Sequence, residues 1–168
     1  MINDEVLHQV YLGLGANLGD KEENLRKAIS LINEQIGTVV RQSAFFYSEP
    51  WGYESENQFA NAVILVETPL SPHQVLNTTQ HIERQLGKTE AHATDRTLTS
   101  RSARSDALLA KNFSPLTSCI YHDRPIDIDI LLFDDLHIDE PDLKVPHPLM
   151  NERDFVMIPL NEIRGRKL

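Results

Sequence analysis

The pattern of apolar and polar residues predicts strands and helices in a definite order. The segment VLHQVYLGLG is typical of a first strand, and it ends in glycines. Apolar residues at helical spacing follow it, at Leu25, Ala28, Ile29, Ile32 and Ile36. We expect Asp20 to cap this helix with Glu23 as its capping-box partner, and Gly37 to end it.

Two further strands and a second helix are predicted downstream. The segments TVVRQSAFFYS and FANAVILVET are strand-like, and the polar loop EPWGYESENQ separates them. Ser71 is placed as the cap of a helix with Pro72 at its first position, and this helix is predicted to run to Gly87. Its inward-facing residues are expected to be Val75, Leu76, Ile82 and Leu86.

Residues 88–120 interrupt the pattern because they are rich in Ser, Thr and Ala and have little periodicity. A loop of this length inside a compact domain is typically a lid or is disordered, so we predict a lid-like insertion. The strand IDIDILLF follows, then a short strand at LHI, and the segment LMNERDFVMIPLNEI is predicted to be helical. This order predicts an α+β, ferredoxin-like fold: an antiparallel sheet with packed helices in three α-β-α layers.

Composition narrows the classes of protein. A length of 168 residues suits one domain, predicted to span residues 1–168, and a net charge of −9 counts against a general nucleic-acid binder. The single cysteine, Cys119, leaves no internal disulfide or thiolate zinc cluster. The N-terminus has acidic residues and no basic region, and no apolar run approaches the roughly 20 residues of a membrane helix. We therefore expect a cytoplasmic protein without a signal peptide.

The segment DRPIDIDILLF carries the sharpest chemical feature. Asp127 and Asp129 alternate along a strand, so their side chains share one face at a spacing of roughly 6.5 Å. The opposite face carries Ile126, Ile128 and Ile130. The pair has two interpretations: the wet face of an amphipathic strand, or hard oxygen ligands for Mg²⁺. Arg124 is likewise either a surface ion-pair partner or a phosphate contact.

Five motifs in order resemble one enzyme family. They are GLGANLGD, SEPWGYESENQFANAVILVET, IERQLG, DRPIDIDILLF and VPHPLMNERDFVMIPL, and together they resemble the 6-hydroxymethyl-7,8-dihydropterin pyrophosphokinases of folate biosynthesis. The resemblance covers nearly the whole chain outside residues 88–120. It implies pyrophosphoryl transfer from ATP to the hydroxymethyl group of the reduced pterin, with release of AMP. It also implies that Asp127 and Asp129 bridge two Mg²⁺ ions, with Arg124 beside them as a further catalytic residue.

The resemblance also implies two sets of binding residues. The pterin set is Ser48, Glu49, Trp51, Phe59, Asn61 and Phe155. In it, Phe59 and Phe155 would cover the two faces of the pterin and Asn61 would bond its amide-like edge; without the family, the phenylalanines are ordinary core residues. The nucleotide set is Gln80, Glu83, Lys88, Tyr121, Arg124, Ile130, His147 and Arg153.

Two residues of the nucleotide set and the glycine motif also have interpretations that involve no nucleotide binding. His147 is otherwise a loop histidine, and Glu83 lies on a solvated helix face. The spacing of GLGANLG differs from a dinucleotide fingerprint. We expect it to shape the turn after the first strand, with Gly15 and Asn17 near the pocket.

The chain departs from the family pattern between Gly87 and Arg124. This segment is longer than the family's mobile loop, and Ile120 replaces a basic residue beside Tyr121. Lys88 matches a basic position, but Glu90 occupies the next. The candidates to replace it are Arg96, Arg101 and Arg104. Many members continue past PLNEI, and we expect the shorter tail here to be nonessential.

Two other classes stay open at this point. The first is a ferredoxin-like module that binds nucleotide or pterin without transfer, because its lid is altered. The second is an RNA-binding domain, which would need exposed aromatic residues on a basic sheet face. The expected partners are ATP and a reduced pterin, with neighbouring folate-pathway enzymes as candidates and with no nucleic acid or membrane.

Overall fold

The computed structural model describes residues 5–50, 57–87 and 124–165. Within these ranges the elements are β1 (His8–Ala16), α1 (Lys21–Gln35), β2 (Thr38–Gln42), β3 (Phe46–Ser48), β4 (Phe59–Thr68), α2 (Pro72–Gln85), β5 (Asp127–Phe133), β6 (Ile138–Asp139), β7 (Lys144–Val145), a 3₁₀ turn (Met150–Glu152) and α3 (Asp154–Arg164).

Strands β1 to β5 form one antiparallel sheet. Its order is β2-β4-β1-β5, and β3 pairs with the other half of β4, beyond β2. Strands β6 and β7 form a separate two-stranded sheet. This is the split βαβ arrangement predicted from the order of the elements, so the ferredoxin-like α+β fold class is confirmed.

Helices cover both faces of the sheet. On one face α1 and α2 pack their apolar residues, among them Leu25 and Ile82, against the inward side chains of β1, β4 and β5. On the other face Leu160 and Ile163 of α3 pack against Val63 of β4. The sheet is therefore buried on both sides, and the near-continuous apolar run of β4 follows from this.

The predicted helix starts are present. Ser71 and Gln74 form a complete capping box with Pro72 in the first turn, as expected. At α1 the Asp20 side chain accepts a hydrogen bond from the Glu23 N–H, as expected of a cap. The Glu23 side chain, which was predicted to complete a capping box, has its carboxylate 3.9 Å from Arg26 instead.

Two predicted elements are divided in the structure. The strand predicted over 38–48 is divided into β2 and β3. It breaks at Ser43, because the Ser43 hydroxyl accepts a hydrogen bond from the Val63 N–H at 2.9 Å in place of a backbone carbonyl. The C-terminal helix breaks at Arg153, whose extended backbone separates the 3₁₀ turn from α3.

A β-bulge in β5 was not predicted. Tyr11 pairs with Leu132 and Leu12 with Ile130, so Leu131 is an extra residue in the strand. Its side chain is buried on the α3 face, directly after the Asp127–Asp129 pair.

Glycine is required at the turn between α1 and β2. A Cβ atom on Gly37 would clash with the backbone carbonyl of Glu67 on β4. Helix α1 ends at Gln35, two residues before the predicted stop.

The predicted insertion at 88–120 lies outside the described residues. Among the described helices, none combines the length and hydrophobicity needed to cross a membrane.

Candidate active site

One row of residues crosses the sheet at the N-terminal end of β5. In register across four strands lie Phe46 of β3, Asn61 of β4, Gly15 of β1 and Asp127 of β5. Residues that pair directly in antiparallel strands project to the same face. The row therefore brings a carboxylate and an amide to one face of the sheet, and the glycine lies between them.

Two glycines of β1 form the floor of a cleft on this face. Gly13 and Gly15 alternate, so the absence of their side chains leaves a depression between β4 and β5. A Cβ on Gly15 would lie 3.1 Å from Asn61 Oδ1, and one on Gly13 would lie 3.3 Å from Leu131. The glycines are thus required for the depth of the cleft.

The cleft lies on the α3 face, between the sheet and the start of α3. The space between its walls, measured out to open solvent, is about 610 Å³. It is lined by Gly13, Leu14, Gly15, Ser48, Glu49, Phe59, Asn61, Ala62, Val63, Arg124, Asp127, Asp129, Leu131, Arg153, Phe155 and Val156. A mostly apolar concavity with a few convergent polar groups is the usual form of a small-molecule site.

Asn61 is held by its neighbours on β3. Its Nδ2 donates to the Phe46 carbonyl at 3.0 Å and to Ser48 Oγ at 2.8 Å, and the residue is buried. Both amide hydrogens are thereby used, so the amide oxygen faces the Gly15 floor. Asn61 therefore presents a fixed acceptor inside the cleft.

Arg124 lies between an aromatic ring and a carboxylate. Its Nη1 is 3.6 Å from Asp127 Oδ2, and its guanidinium carbon is 5.9 Å from the centre of the Phe59 ring. The two charged side chains are largely buried, with exposed fractions of 11% and 19%. This cation offsets part of the negative charge that the Asp127–Asp129 pair places in the cleft.

A second arginine lies against the opposite wall. The guanidinium carbon of Arg153 is 5.7 Å from the centre of the Phe155 ring, and Arg153 is buried. Phe59 and Phe155 therefore both line the cleft, each with an arginine beside it.

A second cavity lies beyond β5 and shares Asp129 with the cleft. It measures about 590 Å³ out to open solvent. Its lining combines α2, β5 and the loops around β7: Leu76, Ile128, Asp129, Ile130, Pro141, Asp142, Leu143, Lys144, His147 and Pro148. The His147 N–H donates to the Leu131 carbonyl at 3.0 Å, which ties this wall to the bulge. Asp129 is thus positioned between two concave surfaces.

The structure brings most of the predicted site residues to these two cavities. The cleft contains Ser48, Glu49, Phe59, Asn61, Arg124, Asp127, Asp129, Arg153 and Phe155. The second cavity contains Ile130 and His147 beside Asp129.

The remaining predicted residues lie elsewhere. Glu83 is buried on α2, where its carboxylate accepts a hydrogen bond from the Ile128 N–H at 3.1 Å. Gln80 is half-buried one turn before it. Trp51, Lys88 and Tyr121 lie outside the described residues.

Several lining residues were missed from the sequence. Gly13 is signalled by the alternating glycines of GLG on a strand, which leave one face without side chains. Val63, Leu131 and Val156 give no comparable signal, because apolar residues that line a cleft and those that fill a core have the same composition.

Comparison with known proteins identifies the family. The family model described as 7,8-dihydro-6-hydroxymethylpterin-pyrophosphokinase (HPPK) matches residues 11–100 and 108–165. A 2-amino-4-hydroxy-6-hydroxymethyldihydropteridine pyrophosphokinase of Porphyromonas gingivalis is 38% identical over 155 residues, covering 92% of this chain and 89% of that protein. The enzyme of the same name from Bacillus subtilis is 37% identical, with coverages of 91% and 76%.

Solved structures agree on the fold. A Plasmodium falciparum HPPK-DHPS structure has a TM-score of 0.66 at 14% identity and is matched over 96% of this chain. The present chain spans 42% of that longer protein.

The chain belongs to the HPPK family. It is an ATP-dependent pyrophosphokinase that transfers a pyrophosphoryl group from ATP to 6-hydroxymethyl-7,8-dihydropterin in folate biosynthesis. The family therefore decides in favour of the enzyme over the RNA-binding domain and the binding module.

Proposed function

We propose that the cleft binds the reduced pterin and that Asp127 and Asp129 form the reaction centre at its edge. The observation that carries this proposal is the row in which Asn61, Gly15 and Asp127 lie in register. In this row an amide and a carboxylate lie on the same face with a glycine between them, and these groups suit a heterocycle and a metal ion respectively.

The pterin would lie between Phe59 and Phe155. Offset stacking of a flat heteroaromatic ring on phenyl rings is favourable, and both rings line the cleft. The amide oxygen of Asn61 would accept hydrogen bonds from the N–H groups of the pterin edge. Ser48 would orient Asn61 through the 2.8 Å hydrogen bond between them. The proposed pterin set is completed by Glu49 and Trp51. The Glu49 carboxylate accepts a 2.8 Å hydrogen bond from Gln58.

The carboxylate pair suits magnesium. Asp127 and Asp129 offer hard oxygen atoms on one face of a strand, and both line the cleft. Two Mg²⁺ ions bound there would neutralise the triphosphate and help to ionise the attacking hydroxyl. The chain itself supplies the positions of these two carboxylates, and it supplies positive charge from Arg124.

Arg124 would change partners during binding. In the structure its guanidinium group lies near both Asp127 and the Phe59 ring. When the metal and the pterin occupy those two groups, the guanidinium group becomes available to the phosphates. Arginine suits this role because its planar group binds phosphate oxygens in a bidentate manner.

The nucleotide would extend into the second cavity. Ile130 and His147 line this cavity together with Asp129, so ATP bound there would reach the metal-binding carboxylates. Arg153 would contact the phosphates from the cleft side. Lys88, Tyr121 and Gln80 stay proposed contacts on the strength of the resemblance alone.

The ion count is tested by Mn²⁺ binding followed by electron paramagnetic resonance. In the presence of a non-hydrolysable ATP analogue and the pterin, we expect two ions per wild-type chain and fewer in Asp129→Asn. A stoichiometry of one in the wild type would overturn the two-ion proposal.

Association with another folate enzyme is a further proposal. The matched Plasmodium proteins are HPPK-DHPS chains, so a neighbouring folate-pathway enzyme is a candidate partner. The cytoplasm stays the predicted compartment.

A further inference from the structure

Two buried polar side chains bind the backbone on either side of Asp127, one just before β5 and one within it. Among the described strands, β5 is at the edge of the sheet and pairs only with β1. On the side away from β1, its backbone is held by contacts from outside the sheet, among them the His147 N–H at Leu131 and the Glu83 carboxylate at Ile128. The two buried side chains are Asn17 and Glu83, which are 2% and 4% exposed.

Asn17 binds both backbone groups of Arg124. Its Oδ1 accepts from the Arg124 N–H at 2.7 Å, and its own N–H donates to the Arg124 carbonyl at 3.1 Å. One residue at the end of β1 therefore determines where the chain lies three residues before Asp127.

Glu83 binds β5 between the two aspartates. Its Oε1 accepts from the Ile128 N–H at 3.1 Å. This hydrogen bond satisfies a buried backbone N–H that would otherwise be left without a partner, which is costly in a protein interior. Helix α2 thereby holds β5 between Asp127 and Asp129.

We propose that Asn17 and Glu83 are positioning residues, which set the relative positions of Asp127 and Asp129 by fixing the backbone at residues 124 and 128. The proposal rests on the proposed metal role of the two aspartates. Groups that orient metal ligands typically affect metal affinity or activity by about 10- to 100-fold when they are removed. Neither residue needs to touch the metal or the pterin to have this effect.

Amide hydrogen exchange in the metal-free protein tests the contacts directly. Asn17→Ala should speed exchange at the Arg124 amide by about tenfold, the effect of losing one hydrogen bond. Asn17→Asp keeps an oxygen acceptor and should restore the protection. Asn24→Ala is the matched control, because the Asn24 side chain donates to the nearby Leu18 carbonyl at 3.0 Å and does not contact β5.

The dependence of turnover on Mg²⁺ tests the consequence. Asn17→Ala should raise the Mg²⁺ concentration for half-maximal rate by about tenfold or more, with Asn24→Ala unchanged. If Asn17→Ala does not fold, Asn17→Ser replaces it, since a shorter hydroxyl side chain does not reach the Arg124 amide.

Glu83 is tested by separating charge from hydrogen bonding. Glu83→Gln keeps an acceptor for the Ile128 N–H and should protect that amide, whereas Glu83→Ala should lose the protection and weaken Mg²⁺ activation. Equal exchange at Ile128 in the two variants would overturn the role of Glu83.

The outcomes separate this inference from the proposed function. Wild-type exchange at Arg124 and wild-type Mg²⁺ dependence in Asn17→Ala would overturn the inference, even if Asp127→Asn is inactive. Full turnover in Asp127→Asn would instead overturn the metal assignment, while accelerated exchange at Arg124 would still show that Asn17 holds the strand.

Discussion

The two cavities on either side of Asp129 are built differently. The cleft rests on paired strands, with a floor of Gly13 and Gly15 and an amide fixed by two hydrogen bonds. The second cavity is walled largely by the loops around β7, where the side-chain pair Lys144–Asp139 is exposed. Groups on paired strands are held more precisely than groups on loops. The comparison therefore supports the proposal that the cleft selects the rigid pterin and that the second cavity binds the nucleotide more adaptably.

The largest expected effect is at the carboxylates that both cavities depend on. Asp127→Asn or Asp129→Asn should lower turnover by a factor on the order of 10³, since metal-held charge contributes several kcal/mol to the transition state. The thermal midpoint of unfolding should change little, because asparagine keeps the size of the side chain and removes one of two neighbouring negative charges. Asp135→Asn, an exposed carboxylate just after the same strand, is the control. Wild-type turnover in either aspartate variant would contradict the metal assignment.

The next-largest effect should distinguish the cleft from the second cavity, because it should change the binding of one substrate only. Phe59→Ala should raise the KM for pterin by about 10-fold or more, because stacking of a base on an aromatic ring contributes roughly 1–3 kcal/mol. The KM for ATP should stay close to the wild-type value. Phe59→Leu keeps apolar contact without the ring plane and should fall between the two. Equal losses for both substrates in steady-state kinetics would argue against the stacking role.

A smaller effect is expected at the floor of the cleft. A Cβ on Gly15 would press on Asn61 Oδ1 at 3.1 Å, so Gly15→Ala should raise the pterin KM by about fivefold, the effect of weakening one hydrogen bond. Gly13→Ala meets Leu131 side-chain carbons at 3.3 Å, which can rotate away, and it serves as the comparison. If the two alanine variants behave alike, the contact between the floor and Asn61 is not what matters.

The smallest effect concerns the wall of the second cavity. Lys144, at 2.6 Å, donates a hydrogen bond to Asp139 and lowers the pKa of its carboxyl below the ordinary value of 3.8. The pair therefore stabilises the folded state above about pH 4, and this contribution is lost as the pH falls through the lowered pKa. Asp139→Asn should lower stability slightly near neutral pH, with the difference from wild type closing in acid. Because the pair is exposed, added salt should also reduce the difference, and urea unfolding at several pH values would measure both.

Features that depend on neighbouring residues in the sequence were predicted correctly. The caps at Asp20 and Ser71 and the apolar positions of both helices followed from spacing, and the alternation in β5 placed its isoleucines in the core and its aspartates on the cleft face. These features depend on residues close together in the sequence.

Features that depend on distant contacts were not predicted. The break at Ser43 needs Val63 from β4 as its partner, and the bulge at Leu131 needs the register with β1. The hydrogen bond from the Ile128 N–H to the Glu83 carboxylate joins α2 to β5, and a helical pattern does not reveal it. The roles of the binding residues rest on the family resemblance and stay predictions.

The most direct test of the account measures AMP formation from ATP and Mg²⁺, with and without 6-hydroxymethyl-7,8-dihydropterin. The products of the wild-type protein and of Asp127→Asn would be separated by chromatography. The account predicts that wild-type AMP depends on the pterin and equals the pterin diphosphate formed, and that Asp127→Asn forms neither product at a comparable rate. AMP that forms without pterin, or an Asp127→Asn variant as active as the wild type, would contradict it.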